Sequence, residues 1–297
     1  MDGILPLWKP KGMTSHDCVI KIRKLFRTKK VGHTGTLDPE VEGVLPICIG
    51  QATKIVSFLT DTEKTYIAEL KLGMTTETED SYGKMIKEVE VDSFPSEKEI
   101  DAVLEMFKGE ITQVPPMYSA VKVNGRKLYE YARANEHVER PKRQVNISYI
   151  EKLAIDATNN TIRLKVVCSK GTYIRTLCVD IGEKLGYPAH MSFLKRTQTA
   201  SFNEEDSITF EQIEKAVEEN KQQTLLKPII MGIDHLAKMN VDQETKWRIT
   251  HGQKLPMPVE LPETNPFVMM YEDELLAIYQ LHPTNQDEIK AVRVFNG

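Results

Sequence analysis

The segment NTIRLKVVCSKGTYIRTLCVDIGEKLG constrains the fold more than any other part of the chain. Its first half alternates apolar and polar residues, which predicts a strand over residues 162–168, and the SKG triplet then predicts a tight turn. The second half has apolar residues at helical spacing, which predicts a helix ending at Gly186. A strand that turns directly into a helix favours a mixed α and β fold.

Other segments before residue 230 repeat both patterns. KTYIAELKLG places alternate residues, beginning with Tyr66, on one face, and GVLPICIG is a compact apolar run; both predict strands. HDCVIKIRKLF predicts a short basic helix whose start Thr14 or Asp17 can cap. EKEIDAVLEMFK predicts an amphipathic helix over residues 97–108.

The pattern of predicted helices and strands changes near residue 230. Residues 1–230 carry the mixed pattern, interrupted at about 112–145 by a long basic stretch in which LYEYARAN can form a helix. Residues 231–297 contain a helical segment, DQETKWRITHG, followed by the alternating segments FVMMYEDELLAIYQL and KAVRVFNG. We therefore predict one domain over 1–230 and a small β-rich domain over 231–297. A long irregular stretch inside a compact domain is usually functional or disordered.

Composition excludes several classes of protein. The chain has 297 residues, of which 40% are apolar and 28% charged, as in ordinary globular proteins. No apolar run approaches the roughly 20 residues of a membrane-spanning helix, and the N-terminus lacks a secretory signal pattern. We expect a cytoplasmic protein without membrane contact. The four cysteines form no CxxC pair, so we expect neither a metal site nor a disulfide.

The charge is distributed unevenly although its net value is only −4. Between Lys9 and Lys30 there are eight lysines and arginines against one acid, and between Lys122 and Arg143 there are seven against three. Either cluster alone would be read as a solvated helix face. Together they permit a phosphate-binding surface on a mildly acidic protein.

Asp38 stands out in VGHTGTLDPEVEGVLPICIG because it lies in a glycine-rich turn ahead of an apolar run. An aspartate before proline usually caps a turn. Glycines at 32, 35, 43 and 50 weaken that interpretation, because they allow the backbone to approach a ligand closely, so a metal ligand, a general base and a nucleophile remain open roles for Asp38. The neighbouring His33, Glu40 and Glu42 form no recognised metal-ligand pattern.

Five blocks of sequence resemble one known family. They are WKPKGMTSHDCV, GHTGTLDPEVEGVLPICIGQATK, KTYIAELKLGMTTETEDSYG, QVPPMYSAVKVNGRKLYEYAR and CSKGTYIRTLCVDIGEKLG. In this order they are similar to the bacterial tRNA pseudouridine-55 synthases, the TruB family, across roughly residues 4–200. The resemblance implies an α/β fold of the α+β type, with a mixed, mainly antiparallel sheet and flanking helices. Residues 231–297 resemble, more weakly, the PUA-type RNA-binding domain of such enzymes.

The resemblance also implies a reaction. A TruB-like enzyme would isomerise uridine 55 in the T-loop of tRNA to pseudouridine, replacing the C–N glycosidic bond by a C–C bond, without cofactor or metal. The target base must be flipped out of its stack, because the glycosidic bond is inaccessible within it. The stretch at about 112–145 would clamp the T-stem loop. We expect the protein to act as a monomer.

Residue roles are implied in the same way. Asp38 would act as a nucleophile or as the base that gives a glycal, and Arg175 would pair with it, since a buried carboxylate needs a cation to stay ionised. Tyr66 would stack on the uracil. The expected catalytic residues are therefore Asp38, Arg175 and Tyr66. The expected substrate-binding residues are His33, Leu194, Tyr173, Asp80, Lys9, Lys122 and Arg126.

Without the resemblance, most of these residues would be assigned ordinary structural roles. Tyr66 and Leu194 would be core residues, and His33 a turn residue bonded to its own loop. Two other functions also remain open. A non-catalytic RNA-binding protein would need only the basic faces, and a metal-dependent RNA hydrolase could use His33, Asp38 and Glu42.

Overall fold

The computed structural model describes residues 1–295; Asn296 and Gly297, the last residues of KAVRVFNG and of the predicted second domain, lie outside the described part. Its strands are β1 Gly3–Lys9, β2 Val31–His33, β3 Glu42–Ile49, β4 Lys64–Leu72, β5 Met74–Thr76, β6 Met85–Glu88, β7 Gly109–Gln113, β8 Lys122–Val123, β9 Arg126–Lys127, β10 Arg143–Asp156, β11 Thr161–Cys168, β12 Ala189–Thr199, β13 Phe202–Asn203, β14 Lys238–Asn240, β15 Leu255–Pro256, β16 Phe267–Tyr271, β17 Glu274–Leu281 and β18 Glu288–Val294. The α-helices are α1 Ser15–Leu25, α2 Val56–Thr60, α3 Glu97–Glu105, α4 Leu128–Arg133, α5 Ile174–Lys184, α6 Phe210–Glu218 and α7 Gln243–Thr250, and short 3₁₀ helices cover Gly50–Ile55, Gln222–Leu225 and Ile229–Ile233.

A nine-stranded sheet forms the larger part of the molecule. Its main path runs β1-β3-β12-β4-β11-β10-β7, with β2 beside β3 and β13 beside β12. All neighbours are antiparallel except β12 and β3, which run parallel over a short contact. The predicted mixed, mainly antiparallel sheet is therefore confirmed.

Helices cover this sheet on its faces, as the apolar spacing requires. One core cluster packs α3 and α5 against β4, β10 and β11, and it includes Leu37 and Val41 from the loop that carries Asp38. Another packs α1 and α6 against β1 and β3. The alternation read from KTYIAELKLG is confirmed, since Ala68, Leu70 and Leu72 are buried together.

Local signals located the helix starts better than the helix ends. Thr14 caps α1, and its hydroxyl accepts a hydrogen bond from the backbone N–H of Asp17. The helix predicted over 97–108 ends at Glu105, because the chain tightens into a turn before Gly109, which has a φ of +82°. Helix α6 ends at Glu218, and Asn220, two residues later, takes a φ of +57°.

A second, five-stranded sheet with the order β14-β16-β17-β18-β15 follows, as predicted for the C-terminal part. Asp242 caps α7, whose end near Gly252 also agrees with the sequence. Val268 and Ile278 of this sheet share a core cluster with Ile4 of the larger sheet, so the two sheets pack together. The division at 230 and 231 stays a prediction.

The basic stretch at about 112–145 begins at the end of β7 and returns into β10. Between them lie the hairpin β8–β9 and α4, the helix predicted from LYEYARAN. Leu128 and Tyr131 are buried, so this stretch, hereafter the insertion, has a small apolar anchor of its own. Within residues 1–295, no helix is long and apolar enough to span a bilayer, and the four cysteines are buried and free.

Candidate active site

The loop that carries Asp38 is held from below by buried polar groups. The hydroxyl of Ser15 accepts a hydrogen bond from the backbone N–H of Leu37 at 2.9 Å. The ammonium group of Lys9 donates to the carbonyl oxygens of Pro10, Pro39 and Val41 at 2.9, 3.0 and 2.7 Å. These bonds fix the backbone on both sides of Asp38.

The prediction that Lys9 contacts RNA phosphate is therefore wrong. Its side chain is fully buried, with 0% exposure, and three carbonyl oxygens occupy its ammonium group. Burial lowers the pKa of Lys9, an effect that the nearby acids, including Asp38, partly oppose. The sequence places Lys9 in a basic run, but β1 points its side chain inward beneath the loop.

Asp38 and Arg175 form an ion pair, as the resemblance implied. The Nε atom of Arg175 lies 2.9 Å from Oδ2 of Asp38, and Nη2 lies 3.5 Å from Oδ1. The Asp38 side chain keeps 39% of its surface exposed, whereas that of Arg175 keeps only 6%. The guanidinium thus holds the carboxylate from the protein side and leaves its other side open.

The remaining donors of Arg175 are also committed. Its Nη1 donates to the carbonyl of Thr78 at 3.0 Å, and its Nη2 to that of Tyr118 at 3.1 Å. Gln113 fixes the backbone of Tyr173, just ahead of α5, with bonds to both its N–H and its carbonyl. Arg175 is consequently positioned by the first turn of α5 and by two separate loops.

A cavity of about 290 Å³ opens at this ion pair. Its walls are the Asp38 loop, the turn at 169–173 with the start of α5, strands β4 and β12, and residues 119 and 120 of the insertion. The predicted site residues Asp38, Arg175, Tyr66, Leu194 and Tyr173 all line it. A larger and more open depression of about 990 Å³ beside Asp61 and Asp234 contains none of them.

The floor of the cavity contains two cations that sequence reasoning missed. Arg196 is paired with Tyr66 in the register of β12 and β4, and only 1% of its surface is exposed. Lys64, two residues before Tyr66 on β4, is 5% exposed. Strand alternation could have revealed both residues. Arg196 lies two positions after Leu194 on β12, and Lys64 lies two positions before Tyr66 on β4, so each shares a strand face with a predicted site residue.

Burial and charge shift the protonation of these groups. Burial raises the pKa of the Tyr66 phenol, while the charge of Arg196 opposes that rise, so the phenol is protonated at neutral pH. Burial, followed by the charge of Arg196, lowers the pKa of Lys64 to about 8. Its ammonium group donates to the carbonyls of Thr60 and Thr62, each at 2.5 Å.

Two predicted substrate-binding residues lie outside the cavity walls. His33 ends β2 and is partly buried; burial, then the charge of Arg196, lowers its pKa, which favours the neutral ring. Asp80 organises its own turn, since its carboxylate accepts hydrogen bonds from the Thr78 hydroxyl at 2.6 Å and the Tyr82 N–H at 2.9 Å. The structure does not bring these two residues to the Asp38–Arg175 pair.

Lys122 and Arg126 lie on the β8–β9 hairpin of the insertion, and both are exposed. The Arg126 guanidinium contacts Glu136 at 2.8 Å and lies 4.3 Å from the centre of the Tyr131 ring. Both residues belong to the insertion whose residues 119 and 120 form part of the cavity wall.

No group of three or more His, Cys, Asp or Glu residues within 1–295 is placed to hold a metal ion. His33, Asp38 and Glu42, the ligands that a metal-dependent hydrolase would need, are thus not gathered into such a group.

A model of the "TruB family pseudouridylate synthase (N terminal domain)" matches residues 23–174, and a model of the "tRNA pseudouridylate synthase B C-terminal domain" matches residues 175–238. A tRNA pseudouridine synthase B of Oceanobacillus iheyensis is 60% identical over 296 residues, covering 99% of this chain and 98% of the relative. This chain belongs to the TruB family of pseudouridylate synthases. It is therefore an isomerase, as the resemblance implied.

Other relatives agree with the TruB assignment. The tRNA pseudouridine synthase B of Listeria innocua is 50% identical over 300 residues, covering 99% of this chain and 98% of the relative. Among solved structures, a Cbf5–Nop10–Gar1 complex matches with a TM-score of 0.78 and 30% identity, covering 98% of this chain and 84% of that chain. An H/ACA RNP bound to a substrate RNA containing 2′-deoxyuridine matches with a TM-score of 0.76 and 28% identity, covering 99% of this chain and 85% of that chain. The predicted pseudouridine synthase fold is thus confirmed.

Behind Arg175, helix α5 carries a half-buried acid, Asp180, whose ionisation destabilises the fold. Burial, then the negative charges of Glu79 and Glu183, raises the pKa of Asp180 to about 6. Because the folded-state pKa exceeds the unfolded value, this group costs stability increasingly as pH rises from about 4 to about 6. We expect Asp180→Asn to raise the free energy of unfolding at pH 7.5 by about 1–2 kcal/mol. The gain should disappear near pH 4, as urea denaturation at several pH values would measure.

A matched control is Asp156→Asn. Hydrogen bonds from Asn159 lower the pKa of Asp156, so its removal should destabilise the protein at neutral pH. If Asp180→Asn raised the free energy of unfolding by the same amount at pH 4 and at pH 7.5, the gain would come from packing and not from removal of the charge.

Proposed function

We propose that this protein isomerises uridine 55 in the T-loop of tRNA to pseudouridine, with Asp38 as the reacting carboxylate. The observation that carries the proposal is the ion pair of Asp38 and Arg175 at the mouth of a cavity lined by Tyr66 and Leu194. Relatives that cover nearly the whole chain are named tRNA pseudouridine synthase B, which supports tRNA as the substrate.

The geometry suits the first chemical step. The reaction breaks the bond between N1 of the uracil and C1′ of the ribose, and Asp38 can assist in two ways. It can attack C1′ as a nucleophile, or it can remove the proton from C2′. Both roles need an ionised carboxylate with one side open to the ribose. Arg175 supplies the charge partner and leaves that side free.

The cavity suits a single extruded base. A volume of about 290 Å³ lies at the small end of ligand pockets, so it admits a nucleobase but not a stretch of stacked RNA. The ring of Tyr66 and the apolar side chain of Leu194 offer the base stacking and apolar contact. Such contacts offset an unstacking cost of a few kcal/mol.

Exposed basic residues on two parts of the chain support the T-stem loop as the recognised element. Lys122 and Arg126 project from the insertion, and a second exposed set lies on and after α1. That second set is Arg23, Lys24, Arg27, Lys29 and Lys30. Phosphate contacts of this kind position an RNA helix, and its shape supplies the specificity.

Residues 231–297 are proposed as an RNA-binding domain of the PUA type. Trp247 of α7 keeps 54% of its surface exposed, and its ring stacks on that of His251 with centroids 4.2 Å apart. Exposed aromatic rings of this kind can stack on unpaired bases. We further propose that the protein works in the cytoplasm as a monomer without a cofactor.

The deciding experiment uses a tRNA transcript labelled with tritium at C5 of its uridines. We expect tritium release to reach one equivalent per transcript, chemical mapping to place the single pseudouridine at position 55, and EDTA to have no effect. A transcript with cytidine at position 55 is the matched control and should release no tritium. Pseudouridine at another position, or release that requires a metal, would contradict the proposal.

A further inference from the structure

Arg196 is a buried cation of the cavity that takes no part in the action of Asp38 on the ribose. Its Nε donates to the carbonyl of Val44 at 2.8 Å, and its Nη2 donates to that of Gly35 at 3.2 Å. Within residues 1–295 it forms no ion pair with a carboxylate, although it is one of the largest fully buried side chains. Yet it lines the same cavity as Asp38 and Arg175.

A buried guanidinium without an acid is costly. Moving a charge out of water costs several kcal/mol unless a partner compensates it, and neutral carbonyls compensate only in part. A neutral donor would suffice to hold Val44 and Gly35. The uncompensated charge therefore indicates that a negative charge arrives in the cavity at some stage of the reaction.

The charge of Arg196 shifts the pKa values of neighbouring groups. The positive charge of Arg196 contributes to the lowered pKa values of Lys64 and His33, and it opposes the burial-driven rise in the pKa of Tyr66. Lys64 lies close by and directs its own ammonium group at the carbonyls of Thr60 and Thr62. Arg196 is thus the guanidinium of the cavity that is not already committed to an acid.

The charge balance of the reaction shows when a negative charge appears. When the C1′–N1 bond breaks, its electron pair leaves with N1, so the uracil becomes an anion delocalised over O2 and O4. If Asp38 has attacked C1′, it is then a neutral ester; if it has taken the C2′ proton, it is a neutral acid. Either way, one negative charge moves from Asp38 to the uracil.

We propose that Arg196 is a catalytic residue that stabilises the uracil anion between cleavage of the C–N bond and formation of the C–C bond. The proposal rests on the proposed function and deepens it. Arg175 is less suited to this role, because its charge is paired with Asp38 and each of its three nitrogens already binds Asp38, Thr78 or Tyr118. The register that pairs Arg196 with Tyr66 places the cation beside the ring that we expect to stack on the base.

The test changes the stability of the uracil anion through a substituent at C5. Fluorine at C5 withdraws electrons and stabilises the uracil anion, so a 5-fluorouridine transcript depends less on a cation in the enzyme. We expect Arg196→Met to slow single-turnover loss of the target uridine by about 100-fold, the usual effect of losing one such donor. On the 5-fluorouridine transcript, disappearance of the target nucleoside should slow by much less. RNA affinity should be unchanged.

Two further variants separate charge from anchoring, should Arg196→Met fold poorly. Arg196→Gln keeps a donor for Val44 without the charge, and it should show the same dependence on fluorine. Arg196→Lys keeps the charge and should be the least impaired. Lys195→Met removes a cation from the next position of β12, where Lys195 pairs with Glu204 at 2.8 Å, and it should behave as wild type on both transcripts.

The outcomes are distinguishable. Equal slowing on uridine and 5-fluorouridine transcripts, or a loss confined to RNA affinity, would overturn the role of Arg196 and leave only an anchoring role. A wild-type protein that leaves uridine 55 unchanged would instead contradict the proposed function.

Discussion

Asp38→Asn should abolish pseudouridine formation while leaving tRNA affinity intact. The amide keeps the size and some of the hydrogen bonds of the carboxylate, but it can neither attack C1′ effectively nor remove a proton from C2′. Loss of a reacting group of this kind typically costs at least about 10⁴-fold in rate. Tritium release from the C5-labelled transcript measures the rate, and filter binding measures the affinity.

Glu40→Gln is the matched control for this prediction. Glu40 lies two residues away in the same loop, and it does not line the cavity. Its change removes a negative charge from the same loop without touching the reacting atoms, so catalysis should persist. A normal rate for Asp38→Asn would rule out the proposed chemistry, whatever the result for Glu40→Gln.

Arg175→Lys should reduce the rate by at least about 10³-fold and should also destabilise the fold by about 2–4 kcal/mol. Lysine keeps the charge, but a single ammonium group cannot reproduce a fork that contacts both oxygens of Asp38 and the carbonyls of Thr78 and Tyr118. Asp38 would then be free to rotate away from the ribose. Single-turnover kinetics and urea denaturation measure the two effects.

Arg163→Lys provides the comparison for an exposed pair. The Arg163 guanidinium of β11 contacts Glu69 of β4 at 2.8 Å, with 49% of the Arg163 side chain exposed. Exposed pairs contribute little, so this variant should keep wild-type activity and stability. Combining Arg175→Lys with Asp38→Asn should add no further loss of rate, because the two residues act as a unit. Wild-type activity in Arg175→Lys alone would be incompatible with a functional ion pair.

Much of the fold could be predicted because it depends on local pattern. The alternation in KTYIAELKLG predicted β4, and Thr14 with Asp17 marked the start of α1. The helix ends were less accurate, as at Glu105, because the last turn depends on how the chain continues into the next strand. The sheet order was not available from periodicity, which does not say which strands are neighbours.

The candidate site, like the fold, was predicted only in part. Asp38, Arg175 and Tyr66 were identified through a resemblance that spans separate blocks, and the structure brings them to one cavity. Lys9 was misassigned because its basic neighbours are exposed while its own side chain is buried. Arg196 was missed because an arginine in a basic run looks exposed until the pairing of its strand is known.

The sequence alone determined the local elements, the location of the basic surfaces and the family. These follow from residue spacing, capping chemistry and motif order, all of which are local properties of the chain. Only the tertiary structure decided the geometry in which Arg175 meets Asp38, 137 positions away, that Lys9 lies beneath the loop, and that Arg196 lies beside Tyr66. Those contacts depend on which strands pair and on which face each side chain is buried, and both are settled by packing over the whole molecule.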